Sequence, residues 1–385
     1  MTDDAPPLRR WAWAEIDCGA IEENSAHLAA LAAPAQLWAV VKADGYGHGA
    51  LRAATSALRG GATGLCVALV DEGLQLRSAG IDTPVLVLSE QPPESVAAAL
   101  REGLILTVAT RAGVEAAAGA ASQLSLASPP AVHLKVDTGM HRVGTEPDDA
   151  LDLARLIVSS GLQLGGVFTH LAVADVPDDP YTDAQLDRFD RVLDELTSAG
   201  LDPALVHAAN SAGALAHPRA RHAMVRTGIA VYGIEPGPGV AALTSHLRPA
   251  MSVHARVSVV RRLGAGERIS YGLRHRFDRD TTVAVLPIGY ADGVPRRSYE
   301  CGVEVLIGGV RRSIVGVVTM DQMMVDMGDD DVKVGDPAVL IGRQGDLQIT
   351  AEEWGARLGT IGYEVVCGIS ARVPRVAIGE PGLAS

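Results

Sequence analysis

Apolar, β-rich segments recur along the first part of the chain, at about 37–42, 65–70, 84–88, 104–108, 131–137, 164–170, 204–209 and 223–227. Between them lie alanine- and leucine-rich stretches with charged positions, such as Asp71-Glu-Gly-Leu-Gln-Leu-Arg77 and Asp149-Ala-Leu-Asp-Leu-Ala-Arg-Leu-Ile157, whose composition suits helices. Eight strands alternating with helices, most apolar on both faces, predict an α/β fold with an N-terminal (β/α)8 TIM-like barrel. A doubly wound sheet shares the rhythm, but no dinucleotide fingerprint accompanies it. Ahead of these segments, residues 11–16 alternate and read as a short strand, and residues 21–31 have helical spacing.

The pattern changes at Glu235-Pro-Gly-Pro-Gly239, a turn-rich stretch that reads as the domain boundary. Beyond it helices become scarce. Residues 251–263, 281–288, 302–307, 314–319, 337–341 and 365–376 read as strands separated by glycine-containing turns. One helix intervenes at 350–358, with Thr350 as N-cap and Glu353 completing a capping box. The expected domains are a barrel over 14–240 and a mainly β domain over 241–385, which also takes the N-terminal strand at 1–13.

The chain has 385 residues, 48% of them hydrophobic, enough for two cores. Its formal net charge of −13, with no basic stripe, argues against nucleic acid or an anionic membrane as a partner. Met1 to Arg10 has no apolar core of signal-peptide length, and no apolar run reaches membrane-spanning length. Cys18, Cys66, Cys301 and Cys367 are far apart and lack metal-ligand spacing, and Cys66 and Cys367, which sit in apolar runs, read as reduced core residues of a cytoplasmic protein that holds no metal.

Against this background the stretch Leu37-Trp-Ala-Val-Val-Lys42-Ala-Asp-Gly-Tyr46-Gly-His-Gly49 stands out. A lysine closes a core strand and a glycine-rich turn follows, with Tyr46 and His48 close by. Lys42 could simply be a solvated strand terminus; it could also form a Schiff base, the chemistry of pyridoxal phosphate enzymes. A phosphate loop needs its lysine after the glycines, and here the lysine comes first. In a barrel the C-terminal strand ends carry the chemistry. Lys135 to Arg142, Thr169-His170, Asn210-Ser211 and Arg226-Thr-Gly228-Ile229 stand at later strand ends, so basic and hydroxylic residues converge with Lys42.

The segment around Lys42 resembles the cofactor-lysine signature of alanine racemases. The likeness continues through Trp-Ala-Glu-Ile-Asp17, Lys135-Val-Asp-Thr-Gly-Met-His-Arg142, Thr-His170, Asn210-Ser211, Arg226-Thr-Gly-Ile-Ala-Val-Tyr-Gly, Ile-Ser-Tyr271-Gly, Gly-Tyr290-Ala-Asp-Gly, Thr-Met320-Asp321-Gln and Tyr363-Glu. Matches so numerous, and in this order, are highly specific.

The resemblance implies interconversion of L- and D-alanine with pyridoxal 5'-phosphate, supplying D-alanine for peptidoglycan precursors. Two acid–base groups must flank the α-carbon, and the family assigns these roles to Lys42, which also holds the cofactor, and Tyr271. A free phenol titrates near about 10, and in similar enzymes His170 and Arg226 form a hydrogen-bonded chain reaching the tyrosine. Arg226 is also implied to face the pyridine nitrogen and keep it unprotonated. Tyr46, Tyr363, Ser211 and the amides of Gly228 and Ile229 would hold the phosphate. Arg142 and the Met320 amide would hold the substrate carboxylate, with Lys135 as a candidate for carbamylation. Tyr290 would narrow substrate entry, Asp175 would stand at the entrance, and Asp321 would be a polar neighbour of the site. A homodimer with active sites shared between subunits is implied as well.

Leu171, Thr319, Gly362 and the run Leu273-Arg-His-Arg-Phe277 depart from the family pattern on the substrate side. The alternatives are a racemase of serine or a basic amino acid on the same fold, or a non-catalytic pyridoxal-phosphate carrier. The carrier lacks the β domain, so the last third of the chain argues against it. A fold-related decarboxylase would use cysteine in place of Tyr271.

Overall fold

The computed structural model describes residues 10–126 and 128–379, so the start of the expected strand at 1–13 lies outside the described residues. Two compact units form. One comprises Ile21–Gly45 and Gly49–Arg248; the other takes the chain up to Ala20, the short piece Tyr46–His48, and everything from Pro249 on.

All eight expected barrel strands are present in the first unit. They are Gln36–Val40, Gly64–Val67, Val85–Val87, Ile105–Val108, Ala131–Lys135, Gln163–Phe168, Leu205–His207 and Met224–Thr227, joined in one parallel sheet. The first seven pair in chain order, and Met224–Thr227 returns to pair with Gln36–Val40. At the remaining seam the amides of Ala223 and Arg226 each donate at 3.0 Å, to Val206 O and Ala209 O, so the barrel is nearly closed. Helices cover the outside through apolar stripes. In Tyr181–Ser198, Leu186, Phe189, Val192 and Leu196 recur at helical spacing and are buried, each contributing about 1.5–3 kcal/mol of burial.

Period-two alternation decides what fills the interior. Partners in adjacent parallel strands share a face, and the register aligns Gly64 with Trp38 and Arg226, Thr107 with His133 and Gly166, and Lys135 with Phe168 and His207. Small residues make room for large ones: a Cβ on Gly64 would meet the Trp38 ring at 2.4 Å. The inside is therefore a packed core with a basic, polar upper part.

The second unit is mainly β, as expected. Its larger sheet runs Val310–Ser313, Glu304–Ile307, Pro337–Gln344, Met251–Arg256, Ala12–Asp17, Arg375–Ile378, with Leu347–Ile349 attached to Pro337–Gln344. A second sheet joins Val259–Leu263, Thr281–Leu286 and Met323–Gly328. The expected strand at 251–263 thus divides between two sheets. Two expectations fail. Residues 314–319 form no strand; Ile314 to Val318 run as buried irregular chain, meeting Met323–Gly328 at the bridge of Ile314 with Val325 and where the Val315 amide donates to Met324 O at 2.8 Å. Residues 365–376 are not one strand either. The helix Gly362–Gly368 buries Val365 and Val366 on one face, and only Arg375–Ile378 is extended. Valine's strand preference yields there to tertiary packing. The helix Ala351–Leu358 does begin at Thr350, whose hydroxyl accepts from the Glu353 amide at 3.1 Å. The capping box is only half formed, because the Glu353 carboxylate is bound by Arg311.

Candidate active site

Lys42 continues the alternation of Trp38 and Val40, so it belongs to the barrel interior where its strand ends. The backbone then makes a left-handed turn through Ala43, Asp44, Gly45 and Tyr46, with φ of 53°, 51°, 61° and 53°. Such a conformation costs an L-residue with a side chain roughly 1–2 kcal/mol, so the turn has to be held. Glu72 Oε1 accepts from the Ala43 amide at 2.6 Å, and Asp44 accepts from Ala50 on its side chain and from Gly49 on its carbonyl, both at 2.8 Å. The motif's glycines serve this geometry first. At Gly47, φ is 81° and a Cβ would lie 2.6 Å from Val366 O.

Arg226 is the electrostatic centre of the barrel mouth. Its Nη1 lies 2.6 Å from His207 Nδ1, while Nη2 donates to Thr169 O at 2.8 Å and Ala208 O at 3.1 Å and reaches His170 Nδ1 at 3.4 Å. Its Nε has no partner among the described residues. Burial lowers the guanidinium to about 10, with the Cys66 thiol pulling the other way; it still carries its charge at neutral pH. Burial, followed by Arg226, Lys135, Arg142 and Lys42, pushes His170 well below the usual imidazole range. His170 is therefore neutral, and because Nδ1 accepts from Arg226 its proton sits on Nε2. The positive charge of the expected chain resides on the arginine alone.

Lys135 stands over the same Phe168 ring as Arg226, at 5.4 Å against 5.1 Å. Burial, then Arg226 and Arg142, brings its amine down to about 8, with Asp137 opposing and Lys42 adding to the fall. Asp137 builds the loop that follows. Its Oδ1 accepts from the amides of Gly139, Met140 and His141 at 2.9, 2.9 and 3.0 Å, and its Oδ2 from Arg142 at 3.2 Å. The Arg142 guanidinium itself has no partner among the described residues. Lys135, Arg142 and His170 line one crevice.

Ser211 opens a short helix after its strand, and its hydroxyl accepts from the Gly228 amide at 2.9 Å and the Ala230 amide at 3.4 Å. The expected hydroxyl and backbone donors are thus adjacent. Asp175, the expected access residue, backs onto the turn at Gly237, where a Cβ would lie 2.6 Å from its Oδ2.

The second unit carries the remaining expected residues. Tyr46 and Tyr363 have ring centroids 6.2 Å apart. Tyr271 is 71% exposed, on a turn where Ser270, Gly272 and Leu273 all have positive φ and Ser270 Oγ donates to Val317 O at 2.6 Å. Such strain clusters at functional sites. Tyr290 and Met320, 42% and 52% exposed, belong to loops tied by bonds from Tyr290 N to Thr319 O at 2.9 Å and Ala291 N to Met320 O at 3.0 Å. Behind them Asp292, fully buried, accepts from Arg10 at 2.8 and 2.5 Å and from the Gly289 amide at 3.0 Å. Arg372 links Asp292 to Asp321 with contacts of 3.4 and 2.6 Å.

Sequence reasoning missed His133, His207, Arg10 and Asp292. The two histidines read in the sequence as ordinary core positions, and only strand register sets them on the interior face; Asp292 lies in the Gly-Tyr290-Ala-Asp-Gly motif, but nothing in the sequence pairs it with the distant Arg10. Among the described residues no group of three or more His, Cys, Asp or Glu is placed to hold a metal, no disulfide joins the four cysteines, and no helix is long and apolar enough to cross a membrane. Cys66 is buried as expected, but Cys367 is exposed, because the helix Gly362–Gly368 turns Val365 and Val366 inward instead.

Family models described as the alanine racemase N-terminal and C-terminal domains match residues 16–236 and 250–377. The alanine racemase of Symbiobacterium thermophilum is 49% identical, with 96% of this chain and 97% of that protein covered, and that of Thermobifida fusca is 46% identical, covering 97% and 99%. The crystal structure of alanine racemase from D-cycloserine-producing Streptomyces lavendulae superposes with a TM-score of 0.91 at 36% identity, over 98% of this chain and 99% of that one. By family models, relatives and fold together, this chain belongs to the alanine racemase family, whose members are amino-acid racemases.

Proposed function

We propose that this chain interconverts L- and D-alanine with pyridoxal 5'-phosphate as cofactor and supplies D-alanine for peptidoglycan precursors. The observation that carries the reading is the basic interior of the barrel, where an amine able to form a Schiff base, Lys42, acts electrostatically on Cys66, Lys135 and His170 beside a buried Arg226 with an unpartnered Nε. This donor set fits the cofactor: Lys42 for the aldehyde carbon, Arg226 for the ring nitrogen, and Ser211 with the amides of Gly228 and Ile229 for the phosphate, assisted by Tyr46 and Tyr363. Bound there, the cofactor supplies an electron-withdrawing ring that acidifies the α-hydrogen of the attached amino acid.

The chain's own residues do the rest. Lys42 Nζ and the Tyr271 hydroxyl exchange protons with the two faces of the α-carbon. His170 Nε2–H donates to the tyrosine oxygen and stabilises it when ionised, with Arg226 behind it. A guanidinium facing the ring nitrogen keeps its own proton, so the ring stays a modest electron sink and side reactions are restrained. Arg142 and the Met320 amide orient the substrate carboxylate; Tyr290 narrows its access, with Asp321 a polar neighbour of the site. Lys135 is proposed to carry a carbamate that positions Arg142. We assign the working form to a homodimer in which Tyr271 serves the neighbouring subunit's site. Four cysteines with no disulfide among the described residues fit a reducing, cytoplasmic compartment.

Borohydride reduction followed by peptide mapping is expected to place the cofactor on Lys42, and a label on any other lysine refutes the assignment. Polarimetry across the common L-amino acids is expected to show the fastest loss of rotation with alanine. Preference for serine or lysine would overturn the substrate.

A further inference from the structure

Two buried histidines stand behind Arg226. His207 Nδ1 lies 2.6 Å from Arg226 Nη1, and His207 Nε2 lies 2.9 Å from His133 Nδ1. The fold makes room for both. A Cβ on Gly166 would stand 2.7 Å from His133 Cε1, and His207 lies flat on Phe168 with centroids 4.6 Å apart. Both rings are enclosed, at 1% and 0% exposure.

The contacts determine where the protons are. A guanidinium only donates, so His207 Nδ1 must accept from Arg226. With its one proton on Nε2, neutral His207 then donates to His133 Nδ1, and His133 in turn carries its proton on Nε2. Protonating either ring would set a second cation against Arg226, and the other group acting on His207 is His222, which adds no negative charge. Burial, followed by Arg226, accordingly takes His133 down to about 3 and His207 well below its ordinary value.

We propose that His207 and His133 are positioning residues, an uncharged hydrogen-bond chain of fixed direction that anchors Arg226 Nη1 and so presents its Nε–H to the cofactor's ring nitrogen. The proposal rests on the assignment of Arg226 to that ring. The Nη2 side is held by the carbonyls of Thr169 and Ala208, which cannot switch roles. On the Nη1 side the acceptor is a side chain whose tautomer must be set, and His133 sets it.

The test begins with the holoenzyme labelled with nitrogen-15 histidine. Two ring signals, assigned with His207→Asn and His133→Asn, should remain neutral with the proton on Nε2 from pH 5.5 to 9. Titration of either ring in that range, or a proton on Nδ1 of His207, overturns the chain whatever Arg226 does. Kinetics supply the second arm. His207→Leu should lower kcat on the order of ten- to a hundredfold, the effect of one charge-assisted bond, shift the bound cofactor's absorption, and leave the KM for alanine little changed. His207→Asn, whose carbonyl can still accept from Arg226, should recover most of the loss. Equal kcat and equal spectra in the wild type and both variants would remove the positioning role. Arg226→Lys tests the parent assignment separately: if its cofactor spectrum matches the wild type, Arg226 does not address the ring, while the tautomers stand or fall on the labelled spectra.

Discussion

Lys135 allows a quantitative test of the basic pocket. Its amine is held at about 8 instead of 10.5 because burial and then Arg226 and Arg142 oppose its charge. At pH 7 about 9% of such an amine is neutral, against about 0.03% of an ordinary lysine, roughly a three-hundredfold gain in the form that attacks carbon dioxide. The ammonium first loses one proton to solvent; the neutral amine nitrogen then bonds to the carbon and a second proton leaves, so that overall a cation becomes an anion beside two arginines. The stability argument runs the same way. The folded value lies below the unfolded one, so unmodified Lys135 costs the fold nothing above pH 10.5, increasingly more as pH falls toward 8, and about 3 kcal/mol in full below 8. A carbamate removes that penalty. Enzyme stripped of carbon dioxide at pH 7 should therefore lose activity and unfold at lower denaturant, and labelled bicarbonate should restore both while giving one carbamate carbon signal that Lys135→Ala lacks. Acetate should partly rescue Lys135→Ala by supplying the missing anion. Absence of the signal together with indifference to carbon dioxide between pH 7 and 9 would refute the electrostatic reasoning.

If Tyr271 serves the neighbouring subunit, mixing inactive Lys42→Ala and Tyr271→Ala chains yields about half mixed dimers with one intact site each, so roughly a quarter of wild-type activity should return; verified exchange with no recovery excludes a shared site. Asp292→Asn leaves the Arg10 guanidinium without its buried anion and should cost about 3 kcal/mol, read by urea denaturation. The same variant should raise the KM for alanine, because Asp292 closes the turn that carries Tyr290. Wild-type stability and KM would show that the Arg10–Asp292 pair supports neither.

What the sequence disclosed follows from which interactions are local. Each barrel strand is an apolar run with a helix after it, and that rhythm is set within a few residues, so all eight strands were legible. Residues 365–376 were misread because Val365 and Val366 are buried against their own unit, a circumstance that neither residue's preference can report. The same divide runs through the site. Lys42, Arg226 and Lys135 are visible because a strand that ends in a cation breaks the expected pattern. His133 and His207 break nothing, since a histidine in an apolar strand reads as ordinary core. Their meaning comes from register, which sets His133 against Gly166 and His207 against Phe168. Parallel pairing thus converts unremarkable positions, 74 residues apart for the two histidines, into one chain ending on Arg226. The strand ends carry the groups proposed to meet substrate and cofactor; the histidines proposed to orient Arg226 lie one layer deeper in the barrel. For this barrel that layer follows once the register is known, because His133 stands two positions before Lys135 on the same alternating face and Phe168 lies beside both Lys135 and His207.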